Sequence, residues 1–233
     1  MTRSTGPGGE LVRVTLGRVT LEGDLGVPAG AGGGVLFAHG SGSSRHSSRN
    51  QFVARALREA GLATLLLDLL TPEEEAVDVY TAHLRFDIGL LAERLVGATR
   101  WLAEQETTAR LPVGYFGAST GGGAALVAAA ELPEEVGAVV SRGGRPDLAG
   151  AALARVKAPT LLIVGGHDFP VIDLNRQALR QLGAQEKELV IVPGATHLFE
   201  EPGALEEVAR LAADWFTRHL HQAAPAGQKQ QGG

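Results

Sequence analysis

Short apolar runs alternate along the chain with longer segments in which apolar residues recur every three or four positions. Residues 11–16 and 19–25 alternate between apolar and polar side chains, which is typical of half-buried strands, and Gly17-Arg18 between them suits a hairpin turn. Six mainly apolar runs predict buried strands of a parallel sheet; they are residues 34–38, 63–67, 112–116, 136–141, 160–164 and 188–192.

Helices are predicted between these strands. Ile88, Leu91, Leu95 and Ala98 recur at helical spacing, and the other predicted helices cover residues 51–60, 122–130, 174–182 and 205–220. Residues 71–81 are acidic and are predicted to be irregular, and the sequence leaves open whether they cover a site. A hairpin followed by alternating strands and helices predicts an α/β fold, with a mostly parallel sheet, helices on both faces and an N-terminal antiparallel hairpin.

The length of 233 residues suits one domain with a sizeable core, which we predict to cover residues 10–221. Residues 1–9 and 222–233 are rich in small and polar side chains and are predicted to be flexible. Fewer than twenty residues separate the strand at 136–141 from the next strand, so we expect no large cap domain.

Charge and composition narrow the range of partners. The net charge of −5 argues against nucleic acid or an anionic membrane as a partner. The chain has no cysteine, which excludes a disulfide framework, a thiol nucleophile and a cysteine metal site. Neither a secretory signal nor a bilayer-spanning apolar run is visible, so a cytoplasmic location is expected. A homo-oligomer is left open.

The pentapeptide Gly117-Ala118-Ser119-Thr120-Gly121 lies between a predicted strand and a predicted helix. A G-x-S-x-G sequence in that context predicts a sharp strand-to-helix turn that exposes the serine oxygen at the carboxyl edge of the sheet. The positions two before and two after the serine must lack bulk, and both are glycine. Ser119 is therefore the candidate nucleophile.

A serine hydroxyl needs a base to take its proton, and histidine is the usual base because its pKa lies near the working pH. His197 follows the last predicted strand, and Asp168 follows the strand before it. Asp168 is the candidate acid that orients His197, and the chain order Ser119, Asp168, His197 is one that such triads use. Asp173 is an alternative acid, although we expect it to cap a helix.

Two backbone N–H groups are predicted to bind the negative oxygen of an acyl-transfer intermediate. One belongs to Thr120, directly after the nucleophile, and the other to Ser41, in the small-residue loop that begins at His39-Gly40. Arg142 and Arg145 follow the strand at 136–141. One of them is a candidate for binding a substrate carboxylate or other anion, and ion pairs with acidic neighbours are the alternative.

These residues resemble the α/β-hydrolase superfamily, and within it small proteins of the dienelactone hydrolase type. The resemblance covers residues 11–220 and rests on four segments, which are residues 36–42, 117–121, 165–168 and 194–197. It implies an α/β-hydrolase fold and hydrolysis through an acyl-enzyme, with no metal or organic cofactor. Dienelactone hydrolases proper use a cysteine nucleophile, whereas this chain carries Ser119 there, as serine esterases do.

The resulting expectation is a serine hydrolase that cleaves small soluble carboxylic esters or lactones through an acyl-enzyme on Ser119. An acyltransferase or a short-peptide peptidase with the same triad remains an alternative, because the shape of the pocket chooses the acceptor. A non-catalytic binding protein on the same fold is the alternative from another class.

Overall fold

The computed structural model describes residues 9–220, which form an eight-stranded sheet flanked by helices. The strands are β1 (Glu10–Leu16), β2 (Val19–Gly26), β3 (Gly33–Ala38), β4 (Leu62–Leu67), β5 (Val113–Ala118), β6 (Val136–Arg142), β7 (Thr160–Gly165) and β8 (Lys187–Val192). The helices are α1 (Ser48–Glu59), α2 (Pro72–Thr81), α3 (Ile88–Glu104), α4 (Thr120–Glu131), α5 (Phe169–Gln181) and α6 (Ala204–Leu220).

The strand order is β1-β2-β4-β3-β5-β6-β7-β8. β1 and β2 form the predicted antiparallel hairpin, β2 also runs antiparallel to β4, and every other neighbouring pair is parallel. The carboxyl ends of β3 to β8 therefore meet along one edge of the sheet. This topology confirms the predicted mostly parallel sheet and the α/β-hydrolase fold.

The sheet is buried between two apolar layers. On one face the core contains side chains of α3 and α4, and on the other it contains side chains of α1 and α6. Successive residues of one strand face opposite layers, so Leu36 of β3 packs with the first layer while Val35 and Phe37 pack with the second. Continuous apolar runs in the sequence follow directly from this two-sided burial.

The prediction that residues 71–81 are irregular is wrong. They form α2, which begins with a capping box: the Glu74 N–H donates to the Thr71 hydroxyl, and the Thr71 N–H donates to the Glu74 carboxylate. Pro72 occupies the first turn, where its missing N–H costs nothing. Val77 and Tyr80 of α2 are exposed, so the helix does not bury an apolar face and its sequence lacks a clear helical repeat of apolar residues. The signals at the start of the helix specify it, but a search for periodicity alone does not find it.

The segment between β6 and β7 contains only short helical turns at Pro146–Arg155, so no large cap domain is present there. Within residues 9–220, no helix combines the length and the apolar character needed to cross a bilayer. The predicted flexible termini, residues 1–9 and 222–233, lie outside the described residues except for residue 9.

Candidate active site

Ser119 occupies the predicted sharp turn between β5 and α4. Its backbone has φ 52° and ψ −122°, a conformation that costs free energy in a residue with a side chain and that is typical of functional turns. A Cβ atom at Gly117 would lie 2.5 Å from the Gly122 Cα atom, and one at Gly121 would collide with the Ala38 carbonyl oxygen. The two flanking glycines are therefore required sterically, as the sequence predicts.

His197 and Asp168 contact each other at the same edge of the sheet. The His197 Nδ1 atom lies 2.6 Å from an oxygen of Asp168, whose side chain is largely buried. Their loops are tied together because the His167 N–H donates to the Ala195 carbonyl at 2.9 Å. With Nδ1 donating to the carboxylate, the Nε2 atom of His197 is left to accept a proton.

Ser119 and His197 line one cavity of about 240 Å³ at the carboxyl ends of the strands. The predicted loop after β3 forms another wall of this cavity, through Gly40 and Ser41. The structure thus brings Ser119, His197 and Asp168 together although they are far apart in sequence.

The structure does not bring Asp173 to this cavity or to a helix cap. Helix α5 begins at Phe169, so Asp173 lies one turn inside the helix. Its side chain is 71% exposed and is paired with Arg176.

The two predicted oxyanion donors are neighbours in the structure. The Ser41 N–H donates to the Thr120 hydroxyl at 2.8 Å, so this N–H already has an acceptor before any substrate arrives. Gly40 packs directly on the nucleophile, since a Cβ atom there would lie 3.0 Å from the Ser119 Cβ atom. The contact of the Thr120 hydroxyl with the Ser41 N–H could not be predicted, because the sequence motif specifies only the backbone N–H of Thr120.

Arg45 anchors the loop that carries Ser41. Its guanidinium is paired with three carboxylates: it donates to Asp68, it lies 2.8 Å from Glu22, and it lies 3.5 Å from Asp24. The Arg45 N–H also donates to Asp68 at 2.7 Å. The side chain is only 13% exposed, so these contacts are partly shielded from water and fix the loop against β2 and the end of β4.

Replacing Arg45 with methionine is expected to lower the free energy of unfolding by about 2 kcal/mol, between the values for exposed and buried ion pairs. Three carboxylates would then face one another without a cation. The matched control is Arg210→Ala, because Arg210 also pairs with two acids, Glu207 and Asp214, but is largely exposed. Urea unfolding of both variants provides the measurement, and an equal, small change in both would show that Arg45 does not hold the loop.

His39 serves the same loop and is not a second catalytic base. Its Nδ1 atom donates to the Gly40 carbonyl at 3.0 Å, and its Nε2 atom accepts from the Leu69 N–H at 3.1 Å. Burial lowers the pKa of His39, which keeps the ring neutral in this arrangement. Both ring nitrogens are thus used in holding the backbone.

The two candidate anion-binding arginines have different surroundings. Arg145 makes a two-pronged contact with Asp147, at 2.9 and 2.7 Å, and does not line the Ser119 cavity. This geometry favours the ion-pair alternative for Arg145 over substrate binding. Arg142 lines the cavity, is 6% exposed and has no acidic partner among residues 9–220. Burial and then repulsion from Arg49 lower the pKa of Arg142 to about 10.

The strand order, the sharp turn at Ser119 and the Asp168–His197 pair define an α/β-hydrolase. The model of the dienelactone hydrolase family matches residues 39–222, which is most of the chain. The chain therefore belongs to the dienelactone hydrolase family.

Solved structures agree with this assignment. A crystal structure of dienelactone hydrolase from Anabaena variabilis is 67% identical, covers 91% of this chain and 98% of that chain, and has a TM-score of 0.89. Est1E from Butyrivibrio proteoclasticus covers 89% of this chain and 98% of its own with a TM-score of 0.74, but at 15% identity it shows the fold alone.

A curated relative from Mycobacterium tuberculosis, named as a putative phosphoribosyl transferase, is 60% identical over 218 residues. The match covers 94% of this chain but 48% of that protein. The chain thus spans about half the length of this curated relative.

Proposed function

We propose that this protein is a serine hydrolase that cleaves small carboxylic esters or lactones through an acyl-enzyme on Ser119. The observation that carries the proposal is the contact between His197 and Asp168 beside the same cavity that Ser119 lines. Membership of a hydrolase family supports the reaction class. Because the nucleophile is a serine hydroxyl and not a thiol, the first step requires a base that takes the hydroxyl proton.

In the first half of the reaction, the Ser119 oxygen attacks the ester carbonyl while His197 Nε2 takes the serine proton. Asp168 stabilises the resulting imidazolium through Nδ1. The negative oxygen of the tetrahedral intermediate accepts hydrogen bonds from the Thr120 and Ser41 N–H groups, and it replaces the Thr120 hydroxyl as the acceptor for Ser41. His197 then returns its proton to the alcohol oxygen, which leaves.

In the second half, a water molecule attacks the acyl-enzyme while His197 takes one of its protons. Collapse of the new intermediate releases the acid, and the proton passes back to the Ser119 oxygen. For a lactone, the alcohol formed in the first half stays attached to the acyl group, and the second half releases a single hydroxy acid. The cavity of about 240 Å³ and the absence of a large cap between β6 and β7 favour a small acyl group over a long lipid chain.

The proposal is tested by hydrolysis of p-nitrophenyl esters of graded chain length, together with labelling by a fluorophosphonate. We expect turnover that is fastest for short acyl chains, and a label that peptide mapping assigns to Ser119. An added primary alcohol separates the alternatives, because an acyltransferase forms the new ester in preference to the free acid. Labelling at another residue, or unchanged labelling of the Ser119→Ala variant, would overturn the proposal.

A further inference from the structure

The backbone that follows β6 contacts two of the three candidate catalytic residues. The Arg145 N–H donates to the Ser119 carbonyl at 3.0 Å, and the Ser119 N–H donates to the Arg142 carbonyl at 3.3 Å. A Cβ atom on Gly143 would lie 3.4 Å from the Cε1 atom of the His197 ring, so the backbone of this glycine approaches the ring closely. One short stretch of backbone therefore contacts both the nucleophile turn and the base.

The side chain of Asn175, on α5, donates a hydrogen bond to this stretch. Its Nδ2 atom lies 3.0 Å from the Gly144 carbonyl oxygen and 2.8 Å from the Val171 carbonyl oxygen, one turn earlier in the same helix. Asn175 is completely buried, and it does not line the cavity of the nucleophile. The N-terminal cap position of α5 is Asp168. Asn175 thus connects the helix that starts at the candidate acid to the backbone that contacts the nucleophile and the base.

An apolar side chain would suit the position of Asn175 better if filling space were its only role. The Oδ1 atom of Asn175 is buried and has no hydrogen-bond donor among the described residues, which costs free energy. The Ser141 hydroxyl is also buried without a partner in this part of the chain, and a Cβ atom on Gly144 would collide with it. Two polar side chains with incomplete hydrogen bonding therefore contact the same glycine, which indicates a role other than stability.

We propose that Asn175 is a positioning residue: through the Gly144 carbonyl it fixes residues 142–145, and thereby the nucleophile and the base that they contact. This inference rests on the proposed hydrolase function and adds to it a residue that does not touch the substrate. Precise placement matters because a displacement of about 1 Å can cost 10²-fold in rate. The hydrogen bond from Asn175 ties a loop to a packed helix, which restricts such displacements.

The kinetic test is Asn175→Leu, which removes both side-chain hydrogen bonds and keeps a side chain of similar size. We expect kcat for the best p-nitrophenyl ester to fall about 10- to 100-fold, because the nucleophile and the base are no longer held in register. KM is expected to change little, since no group that contacts the substrate is altered. Asn175→Ala removes the same hydrogen bonds with less demand on packing, and it serves as the second variant.

Thr99→Val is the matched control for stability. The Thr99 hydroxyl lies 2.9 Å from the Leu95 carbonyl oxygen, one turn earlier in its own helix, and 2.6 Å from the Tyr115 hydroxyl. Valine therefore removes the same pattern of buried contacts away from the cavity. Both variants are expected to melt at a lower temperature than the wild type, but only the change at Asn175 should lower kcat. A wild-type kcat in Asn175→Leu, an equal loss in Thr99→Val, or failure of both Asn175 variants to fold would overturn the inference.

Hydrogen exchange separates this inference from the proposed hydrolysis. The Arg145 amide, which donates to the Ser119 carbonyl, is expected to exchange about fivefold faster in Asn175→Leu, relative to the amides of β3. In Thr99→Val this relative rate should not change. Faster exchange supports the link to the nucleophile turn even in a protein that hydrolyses no ester. Unchanged exchange together with a wild-type kcat in an active enzyme would refute the role of Asn175 and leave the hydrolase proposal standing.

Discussion

Replacing Ser119 with alanine is expected to lower kcat for the best p-nitrophenyl ester by about 10⁶-fold, the loss that removal of a triad nucleophile produces. Alanine removes the oxygen that would form the acyl bond, because Ser119 occupies the turn before α4 and lines the cavity that His197 also lines. KM is expected to change little, since the substrate carbonyl and both backbone donors are unaffected. Steady-state kinetics and the loss of the initial burst of p-nitrophenol provide the measurement.

The control for this experiment is Ser44→Ala, in the loop that carries Ser41. The Ser44 hydroxyl accepts from the His46 N–H at 3.2 Å and lies outside the Ser119 cavity. This variant is expected to retain the wild-type rate and the burst. A burst that survives in Ser119→Ala, or that disappears in Ser44→Ala, would place the nucleophile elsewhere.

The candidate triad was predictable because each part of it depends on local sequence and on strand order. The glycines around Ser119 specify the turn, and Asp168 and His197 each come directly after an apolar run that forms a strand. In a parallel sheet all such positions reach the same edge. Tertiary contacts were then needed only to bring the His197 ring within 2.6 Å of Asp168.

The features that escaped prediction depend on contacts between distant segments. Arg142 and Arg145 share a glycine-rich stretch, and no local signal separates the side chain that enters the cavity from the one that pairs with Asp147. Similarly, two of the carboxylates around Arg45 lie on β2 and the third, Asp68, follows β4, and they become neighbours only because β2 pairs with β4 in the sheet. The sequence shows which residues are charged, but tertiary contacts determine which of them form ion pairs.

Replacing Asp168 with asparagine is expected to lower kcat by about 10⁴-fold while the fold is retained. The volume of the side chain is unchanged, but its amide would donate to Nδ1 of His197. The ring proton would then lie on Nε2, where it prevents that nitrogen from taking the proton of Ser119. The loss should be smaller above neutral pH, because hydroxide can assist the attack when the ring cannot. The measurement is kcat as a function of pH for the wild type and for the variant.

Asp173→Asn is the matched control, because Asp173 is the other acid in the same stretch of chain. It lies five residues from Asp168, on the exposed face of α5, and contacts Arg176 at 3.5 Å. This substitution makes the same chemical change at a position that His197 does not contact, so the rate and the pH profile should match the wild type. The opposite ranking, with Asp173→Asn inactive and Asp168→Asn active, would mean that His197 exchanges partners during turnover. In that case the 2.6 Å contact with Asp168 would describe only the resting enzyme.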